Sequence, residues 1–93
     1  MTEPELGVVA VSRAGHDKGR AFLIIGRADE AHVLLSDGCT RKLDCPKKKK
    51  LKHLHLEPSR ADEIADRLSG GQPLLDADIR KALTRLGYRN ENQ

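Results

Sequence analysis

Short apolar runs separated by turn residues fill the first half of the chain. The runs predict strands at 7–13, 20–27, 32–37 and 53–57. The segment AGHDKG at 14–19 predicts a turn, and Asp37-Gly38 predicts a hairpin whose returning strand is CTRKL at 39–43. Residues 44–50, which include Pro46, are predicted to be a loop. Strands this short and evenly spaced, with tight turns between them, are typical of a small barrel.

The hydrophobic period changes from two to 3.6 at Pro58-Ser59, which predicts two helices after the strands. The first covers 60–69, with Ser59 as its N-cap, and the second covers 76–87, from a cap at Asp76 to Gly87. Their apolar positions follow helical spacing and predict packing surfaces: Ala61, Ile64, Ala65, Leu68, Ile79, Ala82, Leu83 and Leu86.

These elements together predict a mainly β fold with some helix. We expect residues 1–58 to form a small β-barrel that carries a basic loop. We expect residues 59–93 to form a two-helix C-terminal appendage, a helical hairpin that lies against the barrel or whose helices lie against each other.

Positive charge is concentrated in the middle of the chain. Residues 13–52 carry eleven Lys and Arg against five Asp and Glu, although the net charge of the whole chain is only +3. The densest part is Lys47–Lys50, here called the lysine row, with Lys52 close behind it. Because the row lies between Pro46 and a predicted strand, its charges are held in a fixed pattern. This favours binding to a structured polyanion with release of counterions, and a purely solvating role is the alternative.

Several classes of protein do not fit the sequence. No apolar run is long enough to span a bilayer, and the acidic start MTEPELG does not resemble a secretory signal. We therefore expect a cytoplasmic protein whose Cys39 and Cys45 are reduced thiols. The chain has no P-loop, dinucleotide fingerprint or HExxH pattern, so we expect no catalytic residues, no enzymatic activity and no cofactor.

A metal site is a weaker hypothesis. Four soft ligands lie within 17 residues: Cys39, Cys45, His53 and His55. They lack the close C-x₂₋₄-C spacing of structural zinc sites. The two histidines would share one face of a strand, either as chelators or as outward polar residues. We expect no metal, with zinc binding by these four residues as the minor alternative.

The stretch GVVAVSRAGHDKGRAFLIIGRADEAHVLLSDG resembles a KOW motif, the RNA-binding strand–turn–strand of several ribosomal proteins and transcription-elongation factors. Its Gly19 matches the glycine typical of the motif. Further on, RKLDCPKKKKLKHL and IRKAL resemble small bacterial KOW-domain proteins related to archaeal and eukaryotic ribosomal proteins. The resemblance covers about residues 6–56, and the helices more loosely. Phe22 stands where many bacterial KOW motifs have a second glycine, so the chain is more similar to the archaeal and eukaryotic subgroup.

The resemblance implies an SH3-like barrel that binds RNA, with ribosomal RNA or a ribosomal subunit as the partner. Exposed backbone N–H groups of the glycine-containing turn, beside basic side chains, would meet a phosphate. The expected RNA-binding residues lie in the turn, after the Asp37-Gly38 hairpin and in the lysine row: Arg13, Gly15, His16, Lys18, Gly19, Arg20, Arg41, Lys42, Lys47, Lys48, Lys49, Lys50 and Lys52.

The aromatic content limits the mode of RNA binding. Phe22 and Tyr88 are the only aromatic residues of the chain. Contacts to phosphates and 2′-hydroxyls of folded RNA therefore fit better than base stacking. The alternative function is a protein–protein adaptor of the translation or transcription machinery. In that case the helices at 60–69 and 76–87 dock a protein partner while the basic loop meets an acidic surface.

Overall fold

The structure is a computed structural model that describes residues 6–88, which form five strands, a 3₁₀ turn and two α-helices. In chain order these are β1 (Val8–Ser12), β2 (Ala21–Arg27), β3 (His32–Ser36), β4 (Lys47–Lys50), the 3₁₀ turn (Leu51–His53), β5 (Leu54–Arg60), α1 (Asp62–Ser69) and α2 (Asp76–Arg85). The strands form one antiparallel sheet in the order β4-β3-β2-β1-β5. The predicted mainly β fold with two C-terminal helices is confirmed. The outer ends of the two predicted segments, 1–5 and 89–93, lie outside the described residues.

Strand β2 lies at the centre of the sheet and is buried on both faces. Leu23 pairs with Val9 of β1, and Phe22 pairs with Ala10. Leu23 belongs to one hydrophobic cluster and Phe22 to another, and both side chains are fully buried. Successive residues of a strand point to opposite faces. The unbroken apolar run of β2 therefore supplies both cores, as its sequence predicts.

The helices cover one face of the sheet. The cluster on this face joins residues of β1 and β2 to the apolar stripes of the two helices: Val9, Ala21, Leu23, Ala61, Ile64, Ile79, Ala82 and Leu83. Helices α1 and α2 also contact each other. The two helices therefore lie both against the sheet and against each other. Neither helix has the length and apolar character that crossing a bilayer requires.

The second cluster lies on the opposite face and consists of strand residues: Ala10, Phe22, Ile24, Val33, Leu35 and Leu54. No helix residue among those described belongs to it, so the strands themselves cover this core. Two register shifts, between Val8 and Ala10 and between Ile24 and Gly26, interrupt the ladders. Such bulges increase the local bend and twist of a sheet, which lets a sheet bury a face of its own.

The fourth strand is not where the sequence predicts it. Residues 39–43 are not a strand, and the predicted loop at 44–50 contains β4, which is the lysine row itself. The side chain of Asp37 accepts hydrogen bonds from the backbone N–H groups of Cys39 and Arg41, which curls the chain after β3 and prevents an immediate return. Four lysines are acceptable in a strand at the sheet edge, where charged side chains remain hydrated.

The change from strand to helix also comes later than predicted. Pro58 and Ser59 lie inside β5, which runs to Arg60, and α1 begins at Asp62 with Ala61 as its N-cap. Proline fits there because β5 is an edge strand and one side of its backbone needs no partner. The hydroxyl of the predicted cap Ser59 instead lies 3.3 Å from the Tyr88 hydroxyl, within hydrogen-bond range.

Helix α2 ends as predicted but begins differently. Gly87 has φ of 94°, and the N–H of Tyr88 donates to the Leu83 carbonyl, as in a Schellman motif. At the start, the N-cap is Leu75 rather than Asp76. The carboxylate of Asp78 accepts the N–H of Leu75, while Asp76 accepts the N–H of Leu43 at 2.8 Å. The predicted cap therefore ties α2 to the chain segment before β4.

A glycine pair tests this packing. Gly38 and Gly71 both have positive φ, 73° and 67°. A Cβ atom at Gly38 would lie 2.3 Å from the carbonyl oxygen of Asp76, whereas one at Gly71 would meet nothing within 4 Å. Gly71→Ala should cost only the backbone strain, about 1–2 kcal/mol. Gly38→Ala should add overpacking of about 1–3 kcal/mol. Urea unfolding of both variants is the measurement, and equal losses of stability would contradict the close packing of Gly38 on α2.

Candidate nucleic-acid interface

The lysine row forms a free edge of the sheet. Strand β4 pairs with β3 on one side, and no described strand pairs with its other side. Lys47 and Lys49 lie opposite Leu35 and Val33, whose side chains are buried in the second cluster, here called the strand-only core. Both lysines are half-buried, while Lys48 and Lys50 point to the other face and are exposed. The row therefore presents charge on both faces of one edge.

One lysine joins the row to the turn between β1 and β2. The ammonium nitrogen of Lys49 donates a hydrogen bond to the Ala14 carbonyl at 2.9 Å. A Cβ atom at Gly15 would lie 3.6 Å from the same nitrogen. The backbone N–H of Arg13, at the start of the turn, donates to the His53 carbonyl, which follows β4. Two groups of predicted RNA-binding residues, far apart in sequence, are thus neighbours in space.

The turn has the conformation that its glycines predict. Gly15 and Gly19 have φ of 80° and 85°. The expected phosphate-binding N–H groups are only partly free, however. The N–H groups of Lys18 and Arg20 donate to the carbonyls of Gly15 and Asp17 within the turn, and that of Gly19 donates to the carbonyl of Ser12 at the end of β1. Among the described residues, no backbone acceptor is found for the N–H groups of 14–17. An anion approaching the backbone would therefore meet the first half of the turn.

Arg20 is a structural residue rather than a free basic side chain. Its Nε donates to Asp37 Oδ2 at 2.8 Å, and the Asp37 side chain is fully buried while that of Arg20 is 18% exposed. Arg20 Nη2 is buried and has no hydrogen-bond partner among the described residues. The guanidinium of Arg20 thus holds the turn on the loop after β3, and RNA contact by Arg20 stays a prediction.

Arg41 makes a second link between the same two segments. Its Nη2 donates to Asp17 Oδ2 at 3.1 Å, and its Nε is buried without a partner in the described part of the chain. In one ion pair Arg20, at the end of the turn, contacts Asp37 of the loop after β3. In the other, Arg41 of that loop contacts Asp17 of the turn. Arg41 is half-buried, so it is also less available to a ligand than its sequence position suggests.

The other predicted contact residues are exposed: Arg13, Gly15, His16, Lys18, Gly19, Lys42, Lys48, Lys50 and Lys52. Within the described residues, the only acid in ion-pair range of the exposed lysines is Asp29, whose Oδ2 lies 3.8 Å from Lys48 Nζ. A pair this exposed and this long contributes little to stability. The exposed lysines thus keep a positive charge that is available to a ligand.

Asp37 is the residue whose role the sequence did not reveal. Besides the Arg20 guanidinium, its carboxylate accepts the N–H groups of Cys39 and Arg41 and the hydroxyl of Thr40. Burial raises the pKa of Asp37, but these hydrogen bonds, that from Arg20 foremost, outweigh burial and hold the pKa below its usual range. The dipeptide Asp37-Gly38 was the available signal, and an Asp that bonds to its own following backbone is a common turn device.

The metal hypothesis gains no support. Among residues 6–88, no group of three or more Cys, His, Asp or Glu side chains is placed to hold a metal ion. Cys39 and Cys45 are both free thiols. His55 instead lies 3.2 Å from Glu57 on the exposed side of β5.

The chain matches no protein-family model and no curated protein sequence.

The contrast between two basic residues of the turn provides a first test of this site. Arg20→Gln removes one partner of a buried ion pair and should cost about 3–5 kcal/mol of unfolding free energy. Lys18→Gln, at an exposed neighbour, should change it by no more than about 0.5 kcal/mol. Urea midpoints of the two variants check this. Equal midpoints would show that Arg20, like Lys18, is only a surface charge.

The low pKa of Asp37 predicts a pH dependence. Because the folded-state pKa lies below the unfolded value of about 3.9, Asp37 stabilises the fold above about pH 4, and this contribution is lost as the pH falls through the folded pKa. Asp37→Asn should therefore be less stable than the natural chain at pH 7, and the gap should narrow toward pH 3. Asp29 and Asp78 also have lowered pKa values but are present in both proteins, so they cancel. A gap that does not change with pH would contradict this assignment.

Proposed function

We propose that the chain is a non-catalytic, cytoplasmic RNA-binding protein of the KOW type. It binds structured RNA, with ribosomal RNA or a ribosomal subunit as the partner, through phosphate contacts. The observation that carries the proposal is the 2.9 Å hydrogen bond from Lys49 to Ala14, which places the lysine row beside the glycine turn. The sequence resembles KOW proteins through this turn. The lysine row is the densest cluster of positive charge in the chain.

The proposed fold is an SH3-like barrel with the two helices packed on its outside. The strand order, the core and two hydrogen bonds support it. The first four strands follow one another through the sheet, β5 returns to pair with β1, and a 3₁₀ turn joins the last two strands. The strand-only core supplies the interior of such a barrel. The hydrogen bond of Lys49 then joins β4 to the turn, and that of Arg13 joins the start of the turn to the β4–β5 connection.

The mode of binding follows from which side chains are available. Phe22 is fully buried, and the hydroxyl of half-buried Tyr88 donates to Glu57 at 2.9 Å, so neither provides an open platform for a base. Ammonium groups neutralise phosphates without distinguishing bases. On an extended strand, side chains of one face repeat about every 6.6–6.8 Å. That repeat is comparable to the separation of consecutive phosphates along a nucleic-acid strand.

An unpaired sheet edge explains the lysines in a second way. Edge strands are commonly protected by lysines, which prevent pairing with the edge of another molecule. This role needs charge of either sign at the edge, whereas RNA binding needs positive charge. Edge protection also gives no role to Lys18 and Lys52, which are exposed but lie outside β4. The two roles are compatible, and a change in the sign of the charge separates them.

The second candidate function is the protein–protein adaptor. Leu75, before α2, is 69% exposed, although most large apolar residues of the chain are covered. It lies in a shallow groove with Pro73 and Gln72 in the connection between the helices. Binding of the intact protein to a protein partner after nuclease treatment would favour this function.

The salt dependence of binding tests the main proposal. If Lys47–Lys50 and Lys52 neutralise about five phosphates of a structured RNA, log affinity should fall with log salt concentration at a slope of about −3.5 to −4.5. Replacing Lys47–Lys50 with Gln should bring the slope about 2.8–3.6 closer to zero. Fluorescence anisotropy with a labelled ribosomal RNA fragment at several salt concentrations is the measurement. An unchanged slope in the quadruple variant would refute β4 as the main phosphate contact.

A variant of opposite charge provides the control for edge protection. Replacing Lys47–Lys50 with Glu keeps the edge charged, so the protein should stay monomeric in analytical ultracentrifugation while RNA binding is lost. If the Glu variant still binds RNA as well as the natural chain, the lysines serve only to protect the edge.

A further inference from the structure

The four lysines of β4 form two rows on opposite faces of the strand. The first row is Lys47 and Lys49, on the face of the buried Leu35 and Val33. The second row is Lys48 and Lys50, on the face of Leu34 and His32. The backbone edge of β4, which no described strand covers, lies between them. In sequence the four lysines look like one patch, but the strand sends them alternately to two sides.

The two rows also differ in their surroundings. Lys49 extends to the Ala14 carbonyl, so the first row borders the turn with its exposed His16 and Lys18. The second row borders the β2–β3 turn, where Asp29 lies 3.8 Å from Lys48. A ligand that engaged only one face would thus leave half of the lysine charge unused. Both rows are neutralised only by a ligand with phosphates on each side of the β4 edge.

A single RNA strand offers one line of phosphates. A double helix offers two lines that face each other across a groove, and in A-form RNA the major groove is deep and narrow, so that side chains cannot read its bases. The edge of β4 suits such a groove. It carries no aromatic or amide side chain to read a base, and it has lysines on both faces, Lys48 and Lys50 exposed and Lys47 and Lys49 half-buried.

We propose that β4 lies edge-on along the major groove of a double-helical RNA segment, with Lys47 and Lys49 on the phosphates of one strand and Lys48 and Lys50 on those of the other. This inference rests on the proposed RNA binding and specifies its substrate as base-paired RNA. It makes the edge of the sheet, rather than one of its faces, the binding surface.

The experiment compares two ligands and two double variants. The ligands are an RNA stem-loop and an unpaired oligouridine with the same number of phosphates. The variants are Lys47→Gln with Lys49→Gln and Lys48→Gln with Lys50→Gln, and Lys81→Gln on the exposed side of α2 is the control. On the stem-loop, each double variant should reduce the steepness of the log–log salt dependence by about 1.4–1.8, and the control should leave it nearly unchanged. On oligouridine, the natural chain should show a shallower slope, and only one of the two double variants should change it.

Hydroxyl-radical footprinting of the stem provides an independent readout. The natural chain should protect sugars on both strands. Each double variant should lose protection on a different strand. Because Lys49 also holds the turn, Lys47→Gln and Lys50→Gln serve as a matched pair of single variants that leave the Lys49–Ala14 hydrogen bond intact. Each of these should weaken protection on one strand only.

The possible failures are distinguishable. If neither RNA is bound with a salt-dependent affinity, the proposed RNA binding is wrong, and the two-row arrangement with it. If both RNAs are bound with the same slope, and both double variants weaken them alike, RNA binding stands and the two-row arrangement is overturned. Protection of one strand only, lost in both double variants, would overturn it in the same way.

Discussion

The rest of the candidate interface depends on the hydrogen bonds that the buried carboxylate of Asp37 accepts. A charged group without solvent is costly unless donors surround it, and here four donors converge on its two oxygens. Three of them come from the four residues that follow it, and the fourth, Arg20, comes from the end of the β1–β2 turn. Asp37 therefore fixes the shape of its own loop and holds the turn against it.

The loop shape has a consequence for the lysines. Because Asp37 curls the backbone through Arg41, the chain cannot return directly as a strand after β3. It is held instead by the hydrogen bond from Leu43 to Asp76 at the start of α2, and by the one from Arg80 to the Gly38 carbonyl. The chain pairs with β3 again only at Lys47, so the strand that completes this side of the sheet is the lysine row. A basic segment thereby acquires the fixed spacing of a strand.

The sheet itself makes this position tolerable for charge. Its centre, β2, buries apolar side chains on both faces, and burial decreases outward to the edges. Lysines at the edge can lay their alkyl stems against Val33 and Leu35 while the ammonium groups stay near water. The same exposure that makes the edge safe for charge leaves that charge free to meet a polyanion. Both the stability of the fold and the proposed function therefore require β4 to lie at the edge of the sheet.

Sequence alone determined the features that depend on local patterns. The apolar run of β2, the glycine conformations of the turn, the two helical stripes and the end of α2 at Gly87 all follow from periodicity or from the backbone freedom of single residues. Tertiary structure decided the features that depend on distant partners. Ser59 is not a helix cap, Arg20 and Arg41 are partners of Asp37 and Asp17, and the lysine loop became a strand. The reason is that a capping residue, a paired arginine and an edge strand are each defined by a group elsewhere in the fold, and no local pattern encodes that group.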